Sequence, residues 1–136
     1  QKEQHLLTAT DPSDFQFKSA MSLSCPDDAN CDAKYAGFFN QVYGAAKRYQ
    51  YYVRHESQYA YHAGALNYVR YNPNAGCGGS DVYIENKATA LLYIYTPYQP
   101  NEAALKAGAG EGDACSTYGN RNFAIIYNSM FGNPRD

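Results

Sequence analysis

Apolar positions in this chain change period from one segment to the next, and each period predicts an element. Over residues 35–54, Phe39, Val42, Tyr43, Ala46, Tyr49 and Val53 recur at steps of three and four. That spacing predicts an amphipathic helix with these side chains turned inward. Asp32 is placed to cap its start, and Gly44 inside it marks a close approach by a neighbour. Residues 86–95 repeat the pattern through Ala88, Leu91, Leu92 and Tyr95 and stop before Pro97, because a residue preceding proline is pushed out of the helical region. A short helix is predicted over 101–107, capped by Asn101 and ended by Gly108. A last one follows over 120–131, with Phe123, Ile126, Tyr127 and Met130 inward and Gly132 as terminator. Residues 1–7 read as the end of a further helix.

Between residues 59 and 84 the helical period is lost. Tyr59, Tyr61, Leu66, Tyr68, Val69 and Tyr71 are strand-prone, and they are interrupted by turn signals at His62-Ala63-Gly64, Asn72-Pro73-Asn74 and 76–80 before Val82–Ile84 returns. This predicts a small antiparallel β-meander. Residues 8–24 look irregular and polar, with a turn at Asp11-Pro12-Ser13-Asp14; 26–31 is a tight loop and 108–119 a flexible one. Neither internal repeats nor a long linker interrupts the order. The fold class is α+β, mostly α.

Composition narrows the class further. With 136 residues, 45% hydrophobic and 18% charged, the chain has the length of one domain and enough apolar surface for a core. A net charge of −2 argues against a nucleic-acid partner, which a basic patch would announce. No apolar run has the length of a membrane span. A signal peptide is not recognisable, which is compatible with one removed before Gln1. The four cysteines, Cys25, Cys31, Cys77 and Cys115, allow three pairings and lack the C-x-x-C spacing of zinc or redox sites. Cys25 and Cys31 bracket a short loop that suits a local bridge; Cys77–Cys115 would then tie two Gly-rich loops. An even count borne on loops fits an oxidised, extracytoplasmic protein better than four free thiols.

The chemistry that stands out is aromatic. There are 15 Tyr and no Trp. Two stretches, Tyr93 to Asn101 and Cys115 to Phe123, mix rings with Asn, Gln and Arg. Rings stack on the apolar faces of sugars, while amides hydrogen-bond their hydroxyls and acetamido groups. For any single Tyr, packing a small core with its hydroxyl at the rim is the plainer explanation; the two stretches together favour a saccharide groove. Its candidates are Tyr95, Tyr98, Gln99, Asn101, Tyr118, Asn120 and Asn122, with Gln41 on the long helix. Arg121 is either a groove residue or a partner for a buried carboxylate. Glu3 is a candidate general acid if burial raises its pKa, although a surface Glu at a helix end is the plainer explanation. Among Asp27, Asp28, Asp32, Glu56, Glu85 and Asp113 no second carboxylate stands out for a glycosidase pair. His55-Glu56 and His62 do not fit a helical metal motif, and no metal or other cofactor is implied.

These strings also carry a resemblance. Gln1-Lys2-Glu3-Gln4, Cys25-Pro26-Asp27, Gly37-Phe38-Phe39-Asn40-Gln41-Val42, Tyr71-Asn72-Pro73-Asn74, Cys77-Gly78, Tyr95-Thr96-Pro97-Tyr98-Gln99-Pro100-Asn101, Gly112-Asp113 and Cys115 to Phe123 together resemble a family of secreted, cell-wall-associated domains of actinobacteria. That family is related to lysozyme and lytic transglycosylases, and some members are labelled haemagglutinin-like. The resemblance runs over nearly the whole chain. It implies a single lysozyme-like domain over 1–136, a peptidoglycan or related glycan substrate, a secreted cell-wall location and a monomer. It places the presumed catalytic acid on Glu3, supports the pairs Cys25–Cys31 and Cys77–Cys115, and loosely matches 19–23 to a loop of the transglycosylases. The expected function is cleavage of peptidoglycan glycan strands by one Glu, as a muramidase or lytic transglycosylase. The alternative is a glycan-binding module without catalysis, or more weakly an adhesion module for host glycoproteins. In the family an apolar helix precedes the Glu; here the chain begins within that helix, so truncation puts the activity of Glu3 in question.

Overall fold

Local capping, not hydrophobic period, starts the first helix. Ser13 accepts from the Gln16 N–H at 3.3 Å, and its own N–H donates to Gln16 Oε1 at 2.8 Å, closing a capping box. The box opens α1 (Asp14–Lys18) inside the segment that the apolar pattern leaves irregular. This computed structural model describes residues 6, 8–25 and 30–133. Within them the chain forms five α-helices and one two-stranded antiparallel sheet, with two disulfides, Cys25–Cys31 and Cys77–Cys115. It divides into two compact units, Gln1–Arg54 and His55–Asp136.

The first unit is built on α2 (Phe38–Arg54). Asp32 does not cap this helix: its carboxylate accepts from the Lys34 N–H at 2.9 Å, and the helix begins only after Gly37. The residues that α2 buries are Gln41, Ala45 and Tyr52. The predicted inward face is corrected here, since Phe39, Tyr43 and Val53 are exposed and Val42 and Tyr49 half-buried. The cause is Gln41. The loop after α1 folds onto its side of the helix, and the amide fills the space an apolar residue would take. Met21 N–H and Leu23 N–H both donate to Gln41 Oε1 at 3.0 Å. Gln41 Nε2 donates to Leu23 O at 2.8 Å and Tyr35 O at 2.7 Å. Ser22 and Ser24, on either side of Leu23, have φ of 54° and 51°, a left-handed backbone that non-glycine residues keep only when neighbours hold it. The Gln41 amide supplies that hold. Gly44 admits the Leu23 side chain, whose Cδ2 lies 2.7 Å from where a Cβ would stand. Phe17 of α1 meets Phe38 edge to face, with ring centroids 6.2 Å apart.

The second unit begins with a 3₁₀ turn (Glu56–Gln58) and the hairpin of β1 (Ala65–Arg70) and β2 (Gly79–Ile84). Leu66 pairs with Tyr83 and Tyr68 with Asp81 on the outer face; Asn67, Val69 and Ile84 are buried on the other. Asn67 closes the preceding turn by accepting from His62 N–H at 2.8 Å and donating to His62 O at 2.9 Å. The expected meander is therefore a two-stranded hairpin. The edge that a third strand would take is continued at Arg70 by the Tyr98 segment, through an isolated parallel bridge and Gln99 N–H donating to Arg70 O at 2.9 Å. Asn86 caps α3 (Lys87–Tyr95) and Asn101 caps α4 (Glu102–Lys106), each accepting at 2.9 Å from the N–H three residues on. Then α5 (Gly119–Phe131) ends at Gly132. Its predicted inward face is also corrected: Phe123, Tyr127 and Met130 are exposed, with Ile126 half-buried. Phe123, Tyr127 and Phe131 instead pack against one another along the helix surface, at 6.0 and 5.1 Å between centroids. The fully buried apolar side chains are few and small, among them Val69, Ile84, Ala90 and Ala104. Each Val or Ile so buried contributes about 1.5–3 kcal/mol, so the Cys77–Cys115 disulfide and the amide clamps carry a large share of this unit's order.

Candidate functional site

The two Tyr- and Asn-rich strings meet in the second unit, and side-chain amides join them. Gly119 permits this: a Cβ there would stand 2.7 Å from Thr96 Oγ1, so only glycine lets the start of α5 lie against the end of α3. Asn120 then donates to Thr96 O at 2.8 Å and Tyr98 O at 2.7 Å. Gln99 donates to Val69 O and to Ser80 Oγ, both at 2.9 Å, tying its strand to the hairpin. Asn101, besides capping α4, donates to Asp113 Oδ1 at 2.8 Å and accepts from the Ser116 hydroxyl at 2.7 Å. The Tyr118 hydroxyl accepts from Gly112 N–H at 2.8 Å, and its ring lies under the Arg121 guanidinium, 4.4 Å from ring centroid to Cζ. Thr117 donates to Tyr71 O at 2.9 Å, beside the Cys77–Cys115 bridge.

Arg121 is 6% exposed, and its partners are neither a groove nor a carboxylate. It donates to Ala104 O at 2.9 Å and Gly110 O at 2.8 Å, and through Nη2 to Asn122 Oδ1 at 3.0 Å. The structure thus brings Tyr98, Gln99, Asn101, Tyr118, Asn120 and Asn122 into one region, where every amide among them makes internal bonds. Tyr95 closes α3 and, like the others, is half-buried. Gln41 belongs to the first unit, is 0% exposed and is bonded as described above. Glu3 lies outside the described residues.

Half-open ring faces remain nearby. Tyr61 donates its hydroxyl to Pro97 O at 3.1 Å and its ring lies 5.8 Å from that of Tyr93, tilted by 42°. Burial, and then the neighbouring Tyr98 phenol, push the Tyr61 pKa up against a smaller opposing pull from Arg70. Burial, and then Tyr61, raise that of Tyr93. Tyr61, Tyr93 and Tyr98 form one cluster around the Thr96-Pro97 corner, half-buried and half-wet. Sequence reasoning does not single out Tyr61; its signal is the alternation Tyr59-Ala60-Tyr61, which marks strand as readily as site. Half-buried rings that carry phenol hydroxyls suit a polyhydroxylated ligand; the Tyr61 hydroxyl, its proton given to Pro97 O, acts there as an acceptor.

One carboxylate in the region is tuned. Hydrogen bonds from the Asn101 amide, then from the Ser116 hydroxyl, hold the Asp113 carboxyl below the usual carboxylate range. That shift is opposite to the one a general acid needs. Glu56 pairs with Lys87 at 2.7 Å at the base of α3. No cluster of three or more potential metal ligands gathers among the described residues, and no helix among them is long and apolar enough to cross a membrane. Compared with family models, curated proteins and solved structures, the chain matches none.

Proposed function

We propose that this chain is a secreted, lysozyme-like domain that engages the glycan strands of peptidoglycan and cleaves them with Glu3 as its single acid. The observation that carries the glycan reading is the half-buried cluster of Tyr61, Tyr93 and Tyr98 at the Thr96-Pro97 corner. Its rings offer stacking faces and its hydroxyls offer hydrogen bonds, on a frame pinned by Asn120, Gln99 and the Cys77–Cys115 bridge. Two disulfides fit an oxidising, extracytoplasmic setting. In the cleavage step Glu3 protonates the glycosidic oxygen while the substrate's own acetamido group or 6-hydroxyl attacks the anomeric carbon. Glu3 then acts as base, so a second carboxylate is not required.

A second reading, a binding module without turnover, is favoured by a specific observation. Asp113, joined to Asn101 and Ser116, has its pKa lowered by their hydrogen bonds, opposite to the shift a general acid needs. One experiment separates the two. Purified peptidoglycan is incubated with the protein and with Glu3→Gln, and soluble fragments are analysed by mass spectrometry. Fragments from the parent alone establish cleavage by Glu3, anhydro ends marking a transglycosylase and reducing ends a hydrolase. Retention of both proteins on the wall without fragments leaves the binding module. Failure of the parent protein to bind the wall or to release fragments refutes both readings.

A further inference from the structure

The first unit carries a cleft that none of the candidates above uses. Its volume is about 410 Å³, and one face of α2 lines most of it through Asn40, Tyr43, Lys47, Arg48 and Tyr51, with Lys34 from the preceding turn. Positions 40, 43, 44, 47, 48 and 51 follow steps of three and four, so they share one side of the helix. Gly44 and Tyr35 complete the lining. Among the described residues, three cations line the cleft and no carboxylate does. The ion pairs among the described residues, Lys87–Glu56 and Lys106–Glu102, involve none of these cations. Lys34 and Lys47 are exposed and Arg48 half-buried, and the Lys34 ammonium stands 5.4 Å from the centre of the Tyr35 ring. In a chain whose net charge is −2, this concentration of positive charge is local and not a consequence of composition.

We propose that this cleft binds an anionic sugar, a pyranose bearing a carboxylate or a phosphate. Like-signed cations that line a cleft together are neutralised by a ligand anion, and the low-dielectric wall strengthens that attraction. Arg48 offers a planar fork that matches either anion; Lys34 and Lys47 act as point charges. Tyr43, whose ring stacks on Phe39 on one side with centroids 5.5 Å apart, and Tyr51 form the aromatic wall for the pyranose; the Asn40 amide, which donates one N–H to Ala36 O at 2.9 Å, has its second N–H and its oxygen for the sugar hydroxyls. The volume admits a mono- or disaccharide, smaller than a drug-sized ligand at the upper end of such sites. This site does not rest on the tyrosine cluster of the second unit and shares no residue with it.

Titration of the full chain by amide NMR, with glucuronate, glucose 6-phosphate, glucose and inorganic phosphate as probes, tests the proposal. At least one of the two acidic sugars should shift the amides around residues 43–51 and bind roughly tenfold or more tighter than glucose, which lacks the charge, and than phosphate, which lacks the ring. The tighter of the two identifies the anion. Lys47→Gln combined with Arg48→Gln should keep the circular dichroism spectrum and lose about tenfold in that affinity. Tyr98→Ala should leave it unchanged. Equal binding of glucose and the acids, equal binding of inorganic phosphate and the acids, or an unaltered affinity in the double variant overturns the proposal. Acid-sugar binding that persists when peptidoglycan binding is absent would separate this site from the function proposed above.

Discussion

A single amide side chain, that of Gln41, closes four backbone hydrogen bonds in the first unit. A buried backbone group left unpaired costs about 1–3 kcal/mol. Gln41→Ala should therefore destabilise the protein by about 3 kcal/mol or more, read from urea unfolding followed by circular dichroism. A loss under about 1 kcal/mol would mean that the loop 19–24 finds other partners. Asp113 predicts a pH effect of known sign. Its folded pKa is depressed, so its contribution to stability is present above the unfolded value of 3.8 and is lost as pH falls through the folded one. Between about pH 4 and pH 2 the melting temperature of the parent should fall more steeply than that of Asp113→Asn. Parallel curves would show that the Asn101–Asp113–Ser116 bonds do not survive in solution.

At the scale of elements, the Cys77–Cys115 bridge closes a segment with a sequence separation of 38. Chain-entropy reasoning gives such a loop about 3–4 kcal/mol, and the paired Ser variant should lose about that much in the unfolding of the second unit. The tyrosine cluster makes a spectroscopic prediction. In an alkaline titration at about 295 nm, Tyr61 and Tyr93 should ionise above the ordinary phenol value of 10.0, and Tyr61→Phe with Tyr93→Phe should remove that part of the absorbance change. Because their folded pKa values are raised, stability is retained below about pH 10 and declines as pH rises through those values. A single phase in the parent would argue that the cluster is open to water. Much of the element order is legible in the sequence because its signals are local. Asn86 and Asn101 cap their helices, and Gly132 ends the last, as such residues do at helix ends. The short helix α1 is not legible, since a Ser13–Gln16 box leaves no apolar period. Periodicity tells which residues share a helix face, not what covers it, so it turns Phe39, Tyr43, Phe123 and Tyr127 inward where the structure exposes them. The site is less legible still. The cluster depends on Tyr61 meeting Pro97, 36 residues on, and no local signal records that pairing. Asn120 and Gln99 stand out for amide hydrogen bonding, and that is their chemistry in the structure, but it is directed into the frame.

At the scale of the whole molecule, two compact units carry two different kinds of surface: half-buried tyrosines in one and a cationic, tyrosine-walled cleft in the other. The central claim concerns the first of these, that the Tyr61, Tyr93 and Tyr98 cluster holds a glycan strand. The most direct test is calorimetric titration of purified, peptide-free peptidoglycan glycan strands into the full chain and into Tyr61→Ala with Tyr98→Ala, folding being checked by circular dichroism. Removing two stacking rings together with their hydroxyls should weaken binding by roughly tenfold or more. Binding that is equally tight in the double variant, or absent from the parent, would contradict the claim.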